Sequence, residues 1–210
     1  MNQQFLTELK AVTAENRIFT DEPMKKHTTF RVGGPADILV QPKGTELAAV
    51  IRLCRKYDVP YQVIGNGSNL LVGDRGIRGL VIEMLSKEDE ICVEDDCITV
   101  GAGMLLSKTA NRATEHGLTG MEFAAGIPGR IGGAVVMNAG AYGGEMKDIL
   151  TAVTVLDQEG NEKILSAEEL ELGYRTSCIL KKGYIVTGAK IKLKHGEETA
   201  CLLYTSPSPR

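Results

Sequence analysis

The chain has 210 residues, a net charge of −3 and a pI near 5.7. Its 43% hydrophobic and 24% charged residues indicate a folded globular protein rather than a disordered one, and the acidic balance argues against nucleic-acid binding. No run of about 18 apolar residues predicts a membrane-spanning helix, and the N-terminal sequence lacks the apolar middle of a secretion signal. We therefore expect a cytoplasmic protein without membrane insertion.

Hydrophobic periodicity predicts an irregular alternation of helices and strands. Helices are expected at 2–16, at 45–58 with Thr45 as its cap, at 104–117, and from near Pro128. Extended chain or strands are expected at 27–40, 61–64, 79–84, 90–94 and 97–103, in a hairpin at 152–166, and in one long closing strand at 184–196. Ser166 and Glu169 predict a capping box for a helix at 167–174.

This order predicts an α+β or α/β fold with two lobes. The charged stretch at 86–90 is the expected boundary, so that an N-terminal helix at 1–20 precedes a first subdomain at 21–87 and a second at 88–195. The tail at 196–210 abandons the preceding pattern, and we interpret it as non-native sequence on a truncated chain.

The cysteines and histidines give no metal-ligand spacing. Five cysteines lie far apart without a C-x-x-C pair, so buried thiols are the simplest interpretation. The three histidines are also scattered, and no metal site is predicted.

Glycine is enriched and clustered. The chain has 24 glycines, or about 11% against a usual 7%, and clusters of glycine mark sharp turns or close approach of the backbone to something else. One cluster, Gly101-x-Gly103 between a strand and a helix, resembles part of a dinucleotide fingerprint. The third glycine is missing because position 106 is Leu, so a tight turn is the better interpretation.

Two other glycine clusters are stronger candidates for a ligand site. The first glycine loop, "GNGSN" at Gly65 to Asn69, offers consecutive backbone N–H groups of the kind that bind phosphate oxygens. The second glycine segment, "GIPGRIGGA" at Gly126 to Ala134, is expected to begin a helix, whose N-terminus favours negative charge. Either alone could be a mere turn. Together, without a P-loop lysine, they suggest a long ligand that carries a pyrophosphate.

Four stretches make the chain recognisable in order and spacing: "HTTFRVGGPAD", "VIGNGSNLLV", "GMEFAAGIPGRIGGAVVMNAGAYGGE" and "LGYRTS". With these the chain resembles the UDP-N-acetylenolpyruvoylglucosamine reductase family, flavoenzymes of peptidoglycan precursor synthesis, from about residue 20 to 195. The resemblance implies the FAD-binding α+β fold of vanillyl-alcohol-oxidase-like proteins, in which two subdomains grip a non-covalent FAD and a substrate domain follows. It also implies hydride transfer from NADPH through FAD to a UDP-sugar enolpyruvyl substrate, in cell-wall biogenesis and hence cell shape and division.

The resemblance assigns roles to individual residues. Arg175, assisted by the neighbouring Tyr174, matches the family's active-site arginine. An arginine fork can bind both oxygens of a carboxylate and stabilise an enolate as it develops, and arginine stays protonated at any working pH. The implied FAD contacts are Thr29, Arg31, Gly65, Asn66, Gly67, Ser68, Asn69, Gly126, Ile127, Pro128, Gly129, Gly132, Gly133, Ala134, Asn138 and Gly140.

The chain also departs from the family pattern. The serine proton donor, in a later "SAGS…FKNP"-type motif, and a glutamate nearer the C-terminus are both missing, so we expect a weakened FAD site and little turnover from this chain. Ser177 follows the arginine without matching that serine's context. Arg130 stands where the family usually has a small residue, and it could touch phosphate or face water.

Three alternatives stay open at this point. The chain could be another FAD-dependent oxidoreductase of the same superfamily, although no histidine lies beside either glycine cluster to hold flavin covalently. It could be a nucleotide-binding module without catalysis, for which Arg175 would be dispensable. It could be an NAD-dependent dehydrogenase that uses the Gly101-x-Gly103 turn.

Overall fold

A computed structural model describes residues 3–86 and 91–196 of the chain. They form two compact units: the first holds the chain up to Leu85 together with Leu156–Glu162, and the second holds the remainder. Most of the predicted boundary stretch and almost all of the predicted tail fall on 87–90 and 197–210, outside the described residues. Among the described residues, no helix is long and apolar enough to cross a membrane.

The first unit combines a sheet with two helices. Its elements are α1 (Gln3–Val12), β1 (Ile18–Pro23), β2 (Pro35–Val40), α2 (Glu46–Lys56), β3 (Tyr61–Ile64) and β4 (Ile77–Glu83). Within residues 3–86 the four strands form one sheet in the order β1-β2-β4-β3. β2 and β3 both run parallel to β4, and β1 is antiparallel to β2.

The core of the first unit is built around its parallel strands. Leu80, Val81 and Ile82 of β4 are fully buried, as expected for a parallel strand covered on both faces. α1 packs against α2, and Phe5 meets Tyr57 edge-to-face with ring centroids 5.9 Å apart. The helix predicted at 2–16 covers only Gln3–Val12. It buries Phe5 and Leu9, as its pattern indicates.

Thr45 does not cap α2 as the sequence predicts. It has helical backbone angles and makes no side-chain capping hydrogen bond. The carboxylate of Glu46, the first residue of α2, instead fixes the chain before the helix: one oxygen accepts from the backbone N–H of Lys43 at 2.9 Å, and both oxygens accept from Arg17 at 2.7 Å.

Only part of the predicted extended stretch at 27–40 is a strand. Residues 28–32 form a turn. The Thr28 hydroxyl donates to the carbonyl of Val32 at 3.0 Å, and the backbone N–H of Arg31 donates to the carbonyl of Thr28 at 3.1 Å. The strand β2 begins only at Pro35, and the sequence pattern missed β1, which pairs with it.

The second unit contains a larger sheet, small strand pairs and three helices. Its elements are β5 (Ile91–Glu94), β6 (Cys97–Gly101), α3 (Leu106–Glu115), β7 (Leu118–Thr119), α4 (Ile131–Val136), β8 (Gly140–Ala141), β9 (Gly144–Glu145), β10 (Leu150–Leu156), β11 (Glu162–Ser166), α5 (Cys178–Lys182), β12 (Ile185–Lys192) and β13 (Lys194–His195). The described strands of its main sheet lie in the order β11-β10-β12-β6-β5. Ile191 and Ala189 of β12 pair with Ile98 and Val100 of β6, and all four are buried.

Three predictions for the second unit are wrong in detail. The short helix begins at Ile131 rather than near Pro128, because the N–H of Gly129 donates to Ile127 at 2.8 Å and closes a tight turn around the proline. The closing strand breaks at Leu193 into β12 and β13. The third error concerns the helix predicted after Ser166.

Ser166 and Glu169 do form the two hydrogen bonds of a capping box, at 2.8 and 3.4 Å. No helix follows, because the chain turns instead and the carbonyl of Leu170 accepts from Cys178 at 2.7 Å. The box therefore stabilises a turn. α5, which the sequence analysis missed, begins directly after that contact.

The cysteines only partly fit the prediction of buried thiols. Cys54 and Cys178 are buried, and burial raises the pKa of the Cys54 thiol to about 12. Cys92 is exposed and Cys97 is half-exposed, which corrects the prediction for these two. Cys201 lies outside the described residues.

Candidate functional site

The first glycine loop follows the carboxyl end of β3. Parallel strands present their carboxyl ends at the same edge of a sheet, where ligands of open α/β sheets usually bind. The loop is joined to the 28–32 turn, because the N–H of Thr29 donates to the carbonyl of Gly67 at 3.3 Å. The structure thus brings Thr29 to the loop, whereas Arg31 lies exposed in the turn with a left-handed φ of 54°.

Packing explains the glycine at position 67. Its φ is +58°, and a Cβ there would lie 2.0 Å from the carbonyl oxygen of His27. Gly67 is accordingly buried, while Asn69 is exposed. Within residues 3–86 and 91–196, the side chains of Asn66, Ser68 and Asn69 have no hydrogen-bond partner, so their donors are available to a ligand.

A polar cluster that includes Glu83, at the carboxyl end of β4, was not predicted from the sequence. The Nδ1 and Nε2 atoms of His27 lie 3.1 Å from carboxylate oxygens of Glu83 and Glu22, and the amide of Gln41 donates to Glu83 at 2.7 Å. Burial raises the pKa of Glu22, but hydrogen bonds from His27 and Lys26 together lower it below its usual value. The signal in the sequence that could have indicated this cluster was Glu83, a lone carboxylate at the end of an apolar strand.

The second glycine segment packs against the Gly101-x-Gly103 turn. The N–H groups of Gly132 and Ile131 donate to the carbonyls of Ala102 and Met104 at 2.8 and 2.9 Å. The Arg130 guanidinium donates to the carbonyl of Gly103, so this half-buried side chain is engaged with protein. The turn that resembles a dinucleotide fingerprint therefore supports this segment, within a sheet whose β6 is antiparallel to both neighbours.

Two glycines of the second segment have no packing reason to be glycine. Gly126 and Gly133 are exposed, and neither has a positive φ. Apart from the adjacent residues and, for Gly133, the backbone of its own helix, a Cβ at either position would meet no atom of the described residues within 4 Å. Gly132 differs, since its Cβ would lie 3.1 Å from that of Ala102. Glycine in a helix such as α4 costs about 0.5–1 kcal/mol relative to alanine. The open, side-chain-free surface at Gly126 and Gly133 fits a ligand that approaches the backbone closely.

Asn138 and Gly140 are held by the protein itself. Asn138 is only 5% exposed, and its side chain is hydrogen-bonded at both ends. A Cβ at Gly140 would lie 2.7 Å from Glu145, because β8 pairs with β9 there. Contacts within the fold therefore explain both the asparagine at position 138 and the glycine at position 140.

Tyr174 and Arg175 form the tip of a tight turn. Gly173 and Thr176 exchange backbone hydrogen bonds of 3.1 and 3.3 Å, and we call Gly173–Thr176 the arginine turn. Both tip residues are exposed, with the Arg175 guanidinium 6.0 Å from the Tyr174 ring centroid. Among the described residues Arg175 has no acidic partner, so its guanidinium is available to an anion.

Among the described residues, no group of three or more histidine, cysteine, aspartate or glutamate side chains is placed to hold a metal ion. The candidate groups of the first unit are therefore backbone amides and small polar side chains, and those of the second unit are backbone amides and one exposed guanidinium. These groups are suited to phosphate and carboxylate oxygens.

The α+β fold and the glycine-rich segments are those of a protein that binds a nucleotide cofactor. Residues 36–166, more than half of the chain, match the FAD binding domain family. The chain belongs to that family. The predicted α+β fold of the FAD-binding type is confirmed.

Individual relatives agree with this assignment. The chain is 49% identical over 205 residues to the UDP-N-acetylenolpyruvoylglucosamine reductase of Agathobacter rectalis, covering 92% of this chain and 65% of the relative. It is 41% identical to the solved UDP-N-acetylenolpyruvylglucosamine reductase from Thermus caldophilus, with a TM-score of 0.74, covering 87% of this chain and 65% of that one. The resemblance seen in the sequence motifs is confirmed, and the chain spans about two thirds of the length of these relatives.

A more distant structure shares the fold alone. Alkyldihydroxyacetonephosphate synthase is 18% identical to the chain, with a TM-score of 0.68, and the match covers 93% of this chain and 41% of that protein. The α+β architecture is thus common to proteins with very different sequences.

Proposed function

We propose that the protein binds FAD non-covalently through the first glycine loop and the second glycine segment. The observation that carries the proposal is the open surface at Gly126 and Gly133, which the fold itself does not require. The side chains of Asn66, Ser68 and Asn69, which have no partner in the described part of the chain, supply further donors for phosphate oxygens. Membership of the FAD binding domain family supports the choice of cofactor.

We further propose that the protein reduces UDP-N-acetylglucosamine enolpyruvate to UDP-N-acetylmuramate, with NADPH as the hydride donor. The names of the relatives support this activity. Bound FAD would supply the hydride carrier between NADPH and the enolpyruvyl double bond. We place this reaction in peptidoglycan precursor synthesis and in the cytoplasm.

Arg175 is the residue of this chain that we assign to the substrate. Its fork of N–H donors matches a carboxylate, and reduction of an enolpyruvyl group places negative charge on that carboxylate as an enolate develops. Tyr174 lies beside the guanidinium and restricts its orientation.

The alternatives have less support. Another oxidoreductase of the superfamily is not favoured, because the structures with other names are less than 20% identical and share the fold alone. Use of Gly101-x-Gly103 for NAD is disfavoured, because that turn follows β6, a strand antiparallel to both of its neighbours, and packs on the second glycine segment.

Substitution of Arg175 tests the proposed substrate contact. The FAD-loaded chain is titrated with the enolpyruvyl substrate, and the flavin absorbance change reports binding. We expect Arg175→Ala to weaken substrate binding at least tenfold, since a charge-assisted bidentate contact contributes roughly 1.5–3 kcal/mol. Arg175→Lys should restore binding only in part, because lysine keeps the charge without the fork.

A stability measurement serves as the control for this experiment. Arg175 has a left-handed φ of 51°, so Arg175→Gly should unfold at an equal or higher temperature than the unmodified chain while it also loses substrate binding. Equal substrate affinity in all variants would refute the assignment and favour a nucleotide-binding module without catalysis.

A further inference from the structure

Asn138 occupies an unusual position just after α4. Its φ is +42°, a left-handed conformation that asparagine tolerates better than most residues. Its side chain is buried, and its Oδ1 accepts from the backbone N–H of Lys147 at 2.9 Å. The side chain is thus turned into the protein, away from a role as a free donor to a cofactor.

The amide nitrogen of Asn138 reaches the arginine turn. Nδ2 donates to the carboxylate of Glu145 and, at 3.2 Å, to the carbonyl of Gly173, the first residue of that turn. The Glu145 carboxylate is fixed by an ion pair with Lys147, whose hydrogen bond lowers the pKa of Glu145. Glu145 therefore accepts the second Asn138 N–H as an anion.

Ser177 directly follows the arginine turn and holds its other end. Its side chain is fully buried, and its hydroxyl donates to the carbonyl of Val136 at 2.8 Å. Val136 is the last residue of α4, and Asn138 lies two positions further along. Both ends of the arginine turn are therefore tied to the same end of the helix that contains Gly132 and Gly133.

The backbone of Arg175 needs such support. A non-glycine residue at a φ of 51° costs roughly 1–2 kcal/mol relative to its ordinary conformation, and strained residues persist only where their surroundings hold them. Within the turn itself, only two backbone hydrogen bonds between Gly173 and Thr176, of 3.1 and 3.3 Å, are observed among the described residues. The two side-chain anchors supply the additional restraint.

We propose that Asn138 and Ser177 are positioning residues, which lock the arginine turn to the end of α4 and so set the Arg175 guanidinium against the flavin-binding segment. This inference rests on the proposed function, because it assigns a purpose to the orientation of Arg175. It also reassigns Asn138, which the sequence resemblance gives as a cofactor contact.

Two substitutions of Asn138 test the proposal. Asn138→Gly keeps the left-handed backbone and removes every side-chain bond. Asn138→Asp keeps the acceptor for Lys147 but removes both donors and faces Glu145 with a second carboxylate. We expect both variants to behave alike, because the bond to Gly173 is the one that matters. Asn161→Ala is the matched control, since it removes a side-chain amide that donates to Asp157 in the β10–β11 hairpin.

The first readout needs no ligand. Hydrogen exchange of the peptide spanning 173–177, in the cofactor-free chain, should become about fivefold faster in both Asn138 variants, which corresponds to the loss of one ordinary hydrogen bond. It should stay unchanged in Asn161→Ala. Unchanged exchange in Asn138→Gly would overturn the proposal, and wild-type exchange in Asn138→Asp would assign the restraint to the Lys147 contact instead.

The second readout separates positioning from general destabilisation. In the FAD-loaded chain, both Asn138 variants should bind the enolpyruvyl substrate roughly fivefold more weakly while their FAD affinity stays unchanged. Weaker FAD binding with normal substrate binding would return Asn138 to the cofactor and contradict the proposal. If the unmodified chain binds neither ligand, the proposed function fails, and the exchange data still decide whether Asn138 holds the turn.

Discussion

At the scale of single residues, the second glycine segment separates structural from functional glycine. Gly132 is glycine because Ala102 packs against it, whereas Gly133 faces open space with an ordinary backbone. Sequence reasoning predicted both positions as one group, because a one-letter pattern does not show what lies beyond the missing side chain. The same limit applies to Asn138, whose partners Glu145, Lys147 and Gly173 come together only in the folded unit.

This distinction predicts opposite effects for two glycine substitutions. Gly133→Ala should raise the free energy of unfolding by up to about 1 kcal/mol, because alanine is the better helix former, and should lower FAD affinity because its methyl group fills the open surface. Gly44→Ala is the control: a φ of +48° with no atom within 4 Å predicts a loss of roughly 1 kcal/mol without a change in FAD affinity. Urea unfolding and FAD titration measure the two quantities. Unchanged FAD affinity in Gly133→Ala would show that this surface does not contact the cofactor.

At the scale of elements, the apolar patterns predicted α1, α2, α3 and most of the longer strands, but they missed β1 and α5 and predicted a helix at 167–174 where the chain turns. The core pattern of β4 and the hairpin turn at Gly160, with its φ of 74°, were readable because periodicity and glycine act locally. The hydrogen bonds at the start of α2 were not, because the carboxylate of Glu46 pairs with Arg17, 29 positions earlier in the chain. Likewise, a turn and not a helix follows the Ser166 capping box, because the carbonyl of Leu170 accepts a hydrogen bond from Cys178.

The ion pair between Arg17 and Glu46 predicts a pH-dependent contribution to stability. Hydrogen bonds from Arg17 lower the pKa of Glu46 below 4.5 in the folded chain, despite some burial. A lowered folded pKa stabilises the fold above the unfolded value and ceases to do so as the pH falls through the folded value. Glu46→Gln should therefore cost about 1 kcal/mol at pH 7 and progressively less below about pH 4.5.

Urea unfolding at pH 7 and pH 3 measures this difference. Glu115→Gln serves as the control, because its pair with Arg112 is exposed on both sides and should contribute little. A destabilisation by Glu46→Gln that is equally large at pH 3 would contradict the assigned role of the carboxylate.

At the scale of the whole molecule, the order of motifs along the chain was more informative than any single element. The α+β class, the FAD-binding type and the resemblance to the reductases were all predictable, because the glycine clusters and the "YRTS" stretch recur at characteristic spacing. Composition, charge or periodicity alone gave only a globular acidic protein. The polar cluster around His27 was beyond prediction, since it joins Glu22, Gln41 and Glu83 from three separate strands or strand ends.

The central claim, that this chain binds FAD without a covalent bond, is tested most directly by titrating the purified, unmodified chain with FAD and then precipitating the protein with acid. We predict that the flavin signal saturates at one FAD per chain and that the flavin remains in the supernatant after precipitation. A titration without saturable binding, or flavin that stays with the precipitate, would contradict the account.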